Sequence, residues 1–329
     1  MPRPIARLSV LAVALLPLVA GCLKDDTPQT ASTATTTSGT AVASPATTAA
    51  ERPRPTETAA AVPSYGDAER AFHRGRYEDA ATMFAAYTAS EPDNAWGQYM
   101  LGLSNWKIGQ HTQALEAFDA ALTLDPSHRK SLLNSARVLL EISRPEDALE
   151  RVDRALAIEP LSAEGLRLKG RALHELGRIP EAIDAYERAL AVDDRDVWAM
   201  NNLGYLYIQQ GRSDAALLPL ARAVELRGNM PVFQNNFGTA LERSGHFVAA
   251  REAYQAAVTA DSTYQKAAVA LERVTSHGAE SDSSSVDVAA LSREFQTQVE
   301  GWRGRGVTAD STGASDSVTA GMIRDTTAQ

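Results

Sequence analysis

Residues that carry chemistry are scarce in this chain. Cys22 is its one cysteine, so no disulfide can close within it and no Cys-x-x-Cys metal motif exists. The six histidines (His73, His111, His128, His174, His246 and His277) include no pair at the i, i+4 spacing of a zinc-binding helix. His174-Glu175-Leu176 lacks the second histidine that such a helix needs. There is no Gly-x-Ser-x-Gly elbow, no Walker loop and no Gly-x-Gly-x-x-Gly after a strand. The glycines at 301, 304 and 306 follow a helical pattern in a polar tail, and acidic pairs such as Asp193-Asp194 fall at turns, where they cap helices. The sequence therefore predicts no catalytic residues, no cofactor, no metal and no small-molecule substrate. Basic charge is short as well. The net charge is −9, and residues 61–277 hold 23 basic against 29 acidic residues. That balance argues against a nucleic-acid partner.

What the chain does have is a period. Blocks of 34 residues recur six times, at 61–94, 95–128, 129–162, 163–196, 197–230 and 231–264. A fixed period of this length signals stacked helical hairpins. The eighth position reads Ala68, Gly102, Ala136, Gly170, Gly204, Gly238, and the twentieth is Ala in every block, from Ala80 to Ala250. Small side chains at both places let two antiparallel helices approach closely. The fifteenth position is Gly75, Gly109, Ser143, Gly177, Gly211 and Gly245, a turn that favours a left-handed backbone. Position 24 is bulky (Phe84, Phe118, Val152, Tyr186, Leu220, Tyr254), and Pro92, Pro126 and Pro160 end their blocks at position 32. Pro219 falls inside a second helix, where a local kink is expected.

Small residues at 8 and 20, glycine at 15, an aromatic at 24 and proline at 32 together resemble the tetratricopeptide repeat. The clearest blocks are YMLGLSNWKIGQHTQALEAFDAALTLDP and NNLGYLYIQQGRSDAALLPLARAVEL. The resemblance implies an all-α fold, a right-handed α-solenoid of six helix-turn-helix repeats. The first block, with Asp67 and Ala68 at positions 7 and 8, is a degenerate cap. Apolar residues Ala267, Ala268, Leu271 and Val274 share one face of a cap helix over 265–277, which closes a solenoid domain at 61–277.

The flanks read differently. Arg3 and Arg7 precede an apolar run over 8–20, too short to span a bilayer well and of the length of a secretory signal. It ends in Val19-Ala20-Gly21-Cys22, which resembles a bacterial lipobox. Residues 1–22 are thus expected to be a lipoprotein signal peptide, with Cys22 as the lipid attachment site. Several acyl chains there would anchor the protein stably. By analogy with lipoprotein sorting in two-membrane bacteria, Leu23 after the cysteine favours the outer membrane, facing the periplasm. Residues 23–60 hold 11 Thr, 9 Ala and 4 Pro and read as a disordered tether reaching roughly 35 Å. Residues 278–329 read as a largely disordered tail with an amphipathic helix over 287–302, whose Val288, Leu291, Phe295, Val299 and Trp302 share a face. That helix is expected to dock on the solenoid end, or to bind a partner or this chain's own groove.

In the family that the repeats resemble, the first helix of each hairpin lines the concave face. This places Tyr99 and Trp106 near the start of a groove, Asn134, Arg137, Arg167 and Arg171 at its centre, and Asn201, Asn202, Tyr205 and Asn235 toward its end. Aromatic anchors, guanidinium forks and amides suit a peptide or protein partner. The expected function is a non-catalytic protein-binding scaffold anchored to the cell envelope, resembling in layout the lipoproteins that assist pilus or secretin assembly. The alternative is an adaptor regulating cell-wall hydrolases or proteases.

Overall fold

A computed structural model describes residues 62–276 and 285–313, with side chains to residue 304. The expected signal peptide, the expected lipid site at Cys22, the expected tether and the rest of the tail lie outside the described residues. Fourteen α-helices make up the described fold, with no strand among the described residues. Six hairpins follow one another: α1 (Tyr65–His73) and α2 (Tyr77–Ser90), α3 (Ala95–Lys107) and α4 (His111–Leu124), α5 (Arg129–Glu141) and α6 (Pro145–Ile158), α7 (Ala163–Glu175) and α8 (Ile179–Val192), α9 (Val197–Gln209) and α10 (Ser213–Leu226), α11 (Pro231–Arg243) and α12 (Phe247–Ala260). Then come α13 (Gln265–Ser276) and α14 (Val288–Gly313).

Each hairpin turns where the sequence places a left-handed residue. Gly75, Gly109, Gly177, Gly211 and Gly245 have φ between 73° and 85°, and Ser143 has φ 57°. The helix starts are set by the last residue of the preceding block. Asn94, His128, Ser162 and Asp196 each accept from a main-chain N–H in the first turn of the helix that follows. Within a hairpin, the small residue at position 8 makes room for the bulky one at position 24. A Cβ on Gly102 would stand 2.6 Å from the Phe118 ring, and one on Gly238 2.7 Å from the Tyr254 ring. Phe84, Phe118, Tyr186 and Tyr254 are accordingly almost wholly buried.

The hairpins stack in two layers. Odd-numbered helices from α1 to α13 touch one another along the whole array, whereas neighbouring even-numbered helices do not pack together. Tighter spacing on the odd side bends the array, so the odd helices line its concave face and the even helices splay on its convex face. α13 closes the end by burying Ala267, Ala270 and Val274 against α11 and α12. α10 runs unbroken through Pro219, which is buried, and the Ala215 carbonyl loses its i+4 main-chain donor there. α14 does not sit at the solenoid end. It turns back along the convex face and packs on α10 and α8.

Candidate partner-binding groove

The concave face is built by side chains that tie each inner helix to the next, and most of these bonds join residues 35 apart. One repeat is 34 residues, so adjacent parallel helices meet with a stagger of one residue. Asn134 Nδ2 donates to the Tyr99 hydroxyl at 3.2 Å, and Asn236 Nδ2 to Asn201 Oδ1 at 2.8 Å. Trp106 Nε1 donates to Glu141 at 2.7 Å, His174 Nε2 meets Gln209 at 3.1 Å, and Arg243 donates to the Ile208 carbonyl at 2.9 Å. Burial, with Glu164 adding to it, pushes the Tyr99 hydroxyl up to about 12, so the phenol stays neutral at any physiological pH.

The three arginines at the centre are all committed to carboxylates. Arg137 pairs with Glu164 at 2.9 Å, Arg167 with Asp196 at 2.8 Å and Arg171 with Glu175 at 3.0 Å. The Arg167–Asp196 pair is nearly buried, its side chains 11% and 12% exposed. The middle of the face is therefore a row of ion pairs rather than free cations. A carboxylate ligand would have to displace an internal one. Burial raises the Glu175 carboxyl, against the pull of Arg171.

The amide-rich end is equally inward. Asn201 is fully buried and Asn202 nearly so. The four amides donate in one direction: Asn235 to Asn236 at 3.4 Å, Asn236 to Asn201, and Asn201 to Asn202 at 3.3 Å. The run ends on the Asn202 Nδ2, which is buried without a partner. Tyr205 is half-buried, its ring 5.9 Å from His174 in an edge-to-face contact, and burial lowers the His174 pKa.

The large side chain that does face outward is Trp96, at position 2 of its repeat and 48% exposed. Lys130 Nζ stands 5.1 Å from its ring centroid, and the His128 and Tyr99 rings lie 4.6 and 5.6 Å away. Trp96 stands in the first turn of α3, on the inner layer of the array. Among the described residues, no group of three or more His, Cys, Asp or Glu could hold a metal ion, and no helix is long and apolar enough to cross a membrane.

Models of the tetratricopeptide repeat match residues 65–129, 107–172 and 197–229, and one described as a TPR repeat matches 170–211. No curated protein matches the chain. Among solved structures, MamA from Desulfovibrio magneticus RS-1 is 23% identical over 50% of this chain and 92% of its own, with a TM-score of 0.47. The Cut9–Hcn1 hetero-tetramer of the APC/C covers 63% of this chain at 16% identity and TM-score 0.57, and this chain spans 41% of that one. A tetratricopeptide repeat protein from Parabacteroides merdae covers 64% of this chain and 82% of its own at 12% identity and TM-score 0.52. The last two share the fold. With six helical hairpins, matched by repeat models from residue 65 to 229, the chain belongs to the tetratricopeptide repeat proteins, an all-α repeat solenoid that serves as a protein–protein interaction scaffold.

Proposed function

We propose that this scaffold is held at a bacterial cell envelope by a lipid on Cys22, facing the periplasm, and captures a protein partner along the inner face of α3, α5 and α7. The exposed Trp96 with Lys130 over its ring carries the reading. A large aromatic left half in water on an otherwise internally bonded face is the usual anchor of a binding site. The row of arginine–carboxylate pairs beyond it offers polar contacts to a peptide backbone without demanding a charged ligand. The anchor itself is read from the leader sequence, and the Thr-rich tether would let the solenoid reorient above the membrane. No catalytic role is proposed. The layout of lipid, tether and solenoid fits a factor in pilus or secretin assembly.

Photocrosslinking in the native cell from an analogue placed at Trp96 tests the site and names the partner. Recovery of a pilus or secretin subunit supports assembly, and recovery of a cell-wall hydrolase or protease replaces it with the adaptor role. With the photoreactive analogue moved to Lys130, beside the Trp96 ring, Trp96→Ala should abolish the captured product while leaving the helical circular dichroism melt unchanged. If capture survives this change, the groove reading fails. Cys22→Ser should move the protein from the membrane to the soluble fraction, and retention on the membrane removes the lipid anchor.

A further inference from the structure

The outer helices differ from one another at the positions that face away from the solenoid. At positions 19, 22 and 25, repeats two to four carry Gln113, Glu116 and Asp119, then Asp147, Glu150 and Asp153, then Glu181, Asp184 and Glu187. Repeat five carries Ala215, Leu218 and Ala221 instead, and Leu217 and Ala221 are buried. α10 is thus apolar nearly all round, which a helix tolerates only when something covers both sides. α14 is that cover. It lies in the gap that the splayed outer layer leaves between α8 and α10, and buries Phe295, Val299 and Trp302 there. Its polar fastenings are specific. Ser292 donates to the Glu225 carboxylate, which Arg222 also holds at 2.7 Å. Past Trp302, Arg303 donates to the Ala191 carbonyl at 2.8 Å and pairs with Asp194 at 3.0 Å.

The solenoid is complete without this helix. Six hairpins and α13 already pair inner with outer helices from end to end, and α14 touches repeats four and five rather than the cap that precedes it in the chain. We propose that the convex face of α8 and α10 is a second helix-binding surface, distinct from the concave groove, and that α14 is its built-in occupant. The partner that displaces α14 is an amphipathic helix of the same chemistry. It presents an aromatic residue, an aliphatic one four positions on and an aromatic three beyond that. A small hydroxyl side chain stands three residues before the first aromatic, for Glu225, and a basic residue follows the last, for Asp194. The two acidic fastening points make an acidic helix a poor competitor. Because a tethered α14 competes at an effective concentration of about millimolar, only a partner of matching pattern or high local density would open the face.

The test uses the full chain and a fluorescent peptide with the sequence of residues 285–304. Phe295→Ala with Trp302→Ala in the chain loosens its own α14 while leaving α8 and α10 intact. The peptide should bind this variant at least tenfold more tightly than the unaltered protein, read by fluorescence anisotropy. A peptide carrying the same two alanine replacements should not bind. Asp194→Lys in the loosened chain should weaken the natural peptide severalfold, and an Arg303→Asp peptide should recover the loss. Equal affinity for the loosened and unaltered chains overturns the proposal. So does collapse of the whole solenoid in the loosened chain, seen as a general loss of helical signal, because α14 would then be part of the core rather than a ligand. Dimerisation of the loosened chain without peptide binding also overturns it, in favour of a second copy as the occupant.

Discussion

Ser143 stands where five other repeats have glycine, and it takes the same left-handed backbone, with φ 57°. For a residue with a Cβ that conformation costs roughly 1–2 kcal/mol, while glycine costs about 0.5–1 kcal/mol in lost unfolded-state freedom. Ser143→Gly should therefore raise stability by up to about 1 kcal/mol, seen as a higher midpoint in a thermal melt. A lower midpoint would show that the serine hydroxyl does more for the turn than its backbone costs. Gly102 is the opposite case. Its φ is ordinary, and the space is missing: a Cβ would press on the Phe118 ring. Gly102→Ala should cost about 1–3 kcal/mol through this crowding. The sequence shows that both positions are small. For position 15 it also shows the turn that requires it, whereas the ring that position 8 must clear stands sixteen residues away at position 24. The same limit governs the groove. Asparagine and arginine at inner positions look like ligand contacts in a list of residues, yet Asn201 is spent on Asn236 of the next repeat, Asn202 on Asn201 beside it, and Arg167 on Asp196 at the start of α9. The 35-residue spacing of the Asn201–Asn236 bond follows from the period plus the one-residue offset between parallel helices, and only the packed array reveals that offset.

At the scale of the helix, the start of α5 is unusual in being capped by histidine. His128 Nδ1 meets the Ser131 hydroxyl at 2.8 Å and accepts from its N–H at 3.3 Å. An imidazole can accept at Nδ1 only while that nitrogen is unprotonated, and burial lowers the His128 pKa, with Asp125 pulling partly the other way. Burial lowers His174 too. In the unfolded chain both titrate near about 6.5. Their folded values lie below that, so the unfolded state binds protons more readily and acid favours unfolding. The stability they hold is complete above about pH 6.5 and is lost as pH falls through their folded values. Thermal midpoints should stay level between about pH 7 and 8 and decline below about pH 6, and His128→Asn should flatten part of that decline by supplying a cap without a titrating ring. An equal decline in that variant would remove His128 from the account. Helix identity and order are readable from the period alone, including the turn glycines. The docking site of α14 was also written in the sequence, in the replacement of Glu116, Glu150 and Asp184 by Leu218 at the corresponding place in repeat five. An amphipathic pattern says that a helix needs a cover, and it takes the matching bare face to say which.

Across the whole molecule, the core is divided. One cluster joins repeats four to six and takes in Phe295, Val299 and Trp302 of α14. A second runs through α5, α6 and α7, and a third holds α1 to α4. In a solenoid each repeat is stabilised by its own hairpin and its two neighbours, so local stability follows these clusters rather than a single global value. Burial of the three α14 side chains adds about 1.5–3 kcal/mol each to repeats four and five, an upper range because the unfolded chain is not fully extended. Among the described residues, the first repeat has a neighbour on one side and a nine-residue inner helix, the shortest of the array. A difference of about 1.4 kcal/mol in opening free energy is tenfold in exchange rate where opening limits protection. Amides of α1 to α3 should therefore exchange with deuterium at least tenfold faster than those of α9 to α11, measured by mass spectrometry on the intact chain. Loosening α14 through Phe295→Ala and Trp302→Ala should narrow that difference by speeding exchange in α8 to α10 while leaving α1 to α3 as they were. Uniform protection from α1 to α12 would mean that the repeats open as one unit. The convex helix would then be stabilising the whole array rather than fastening the two repeats it touches.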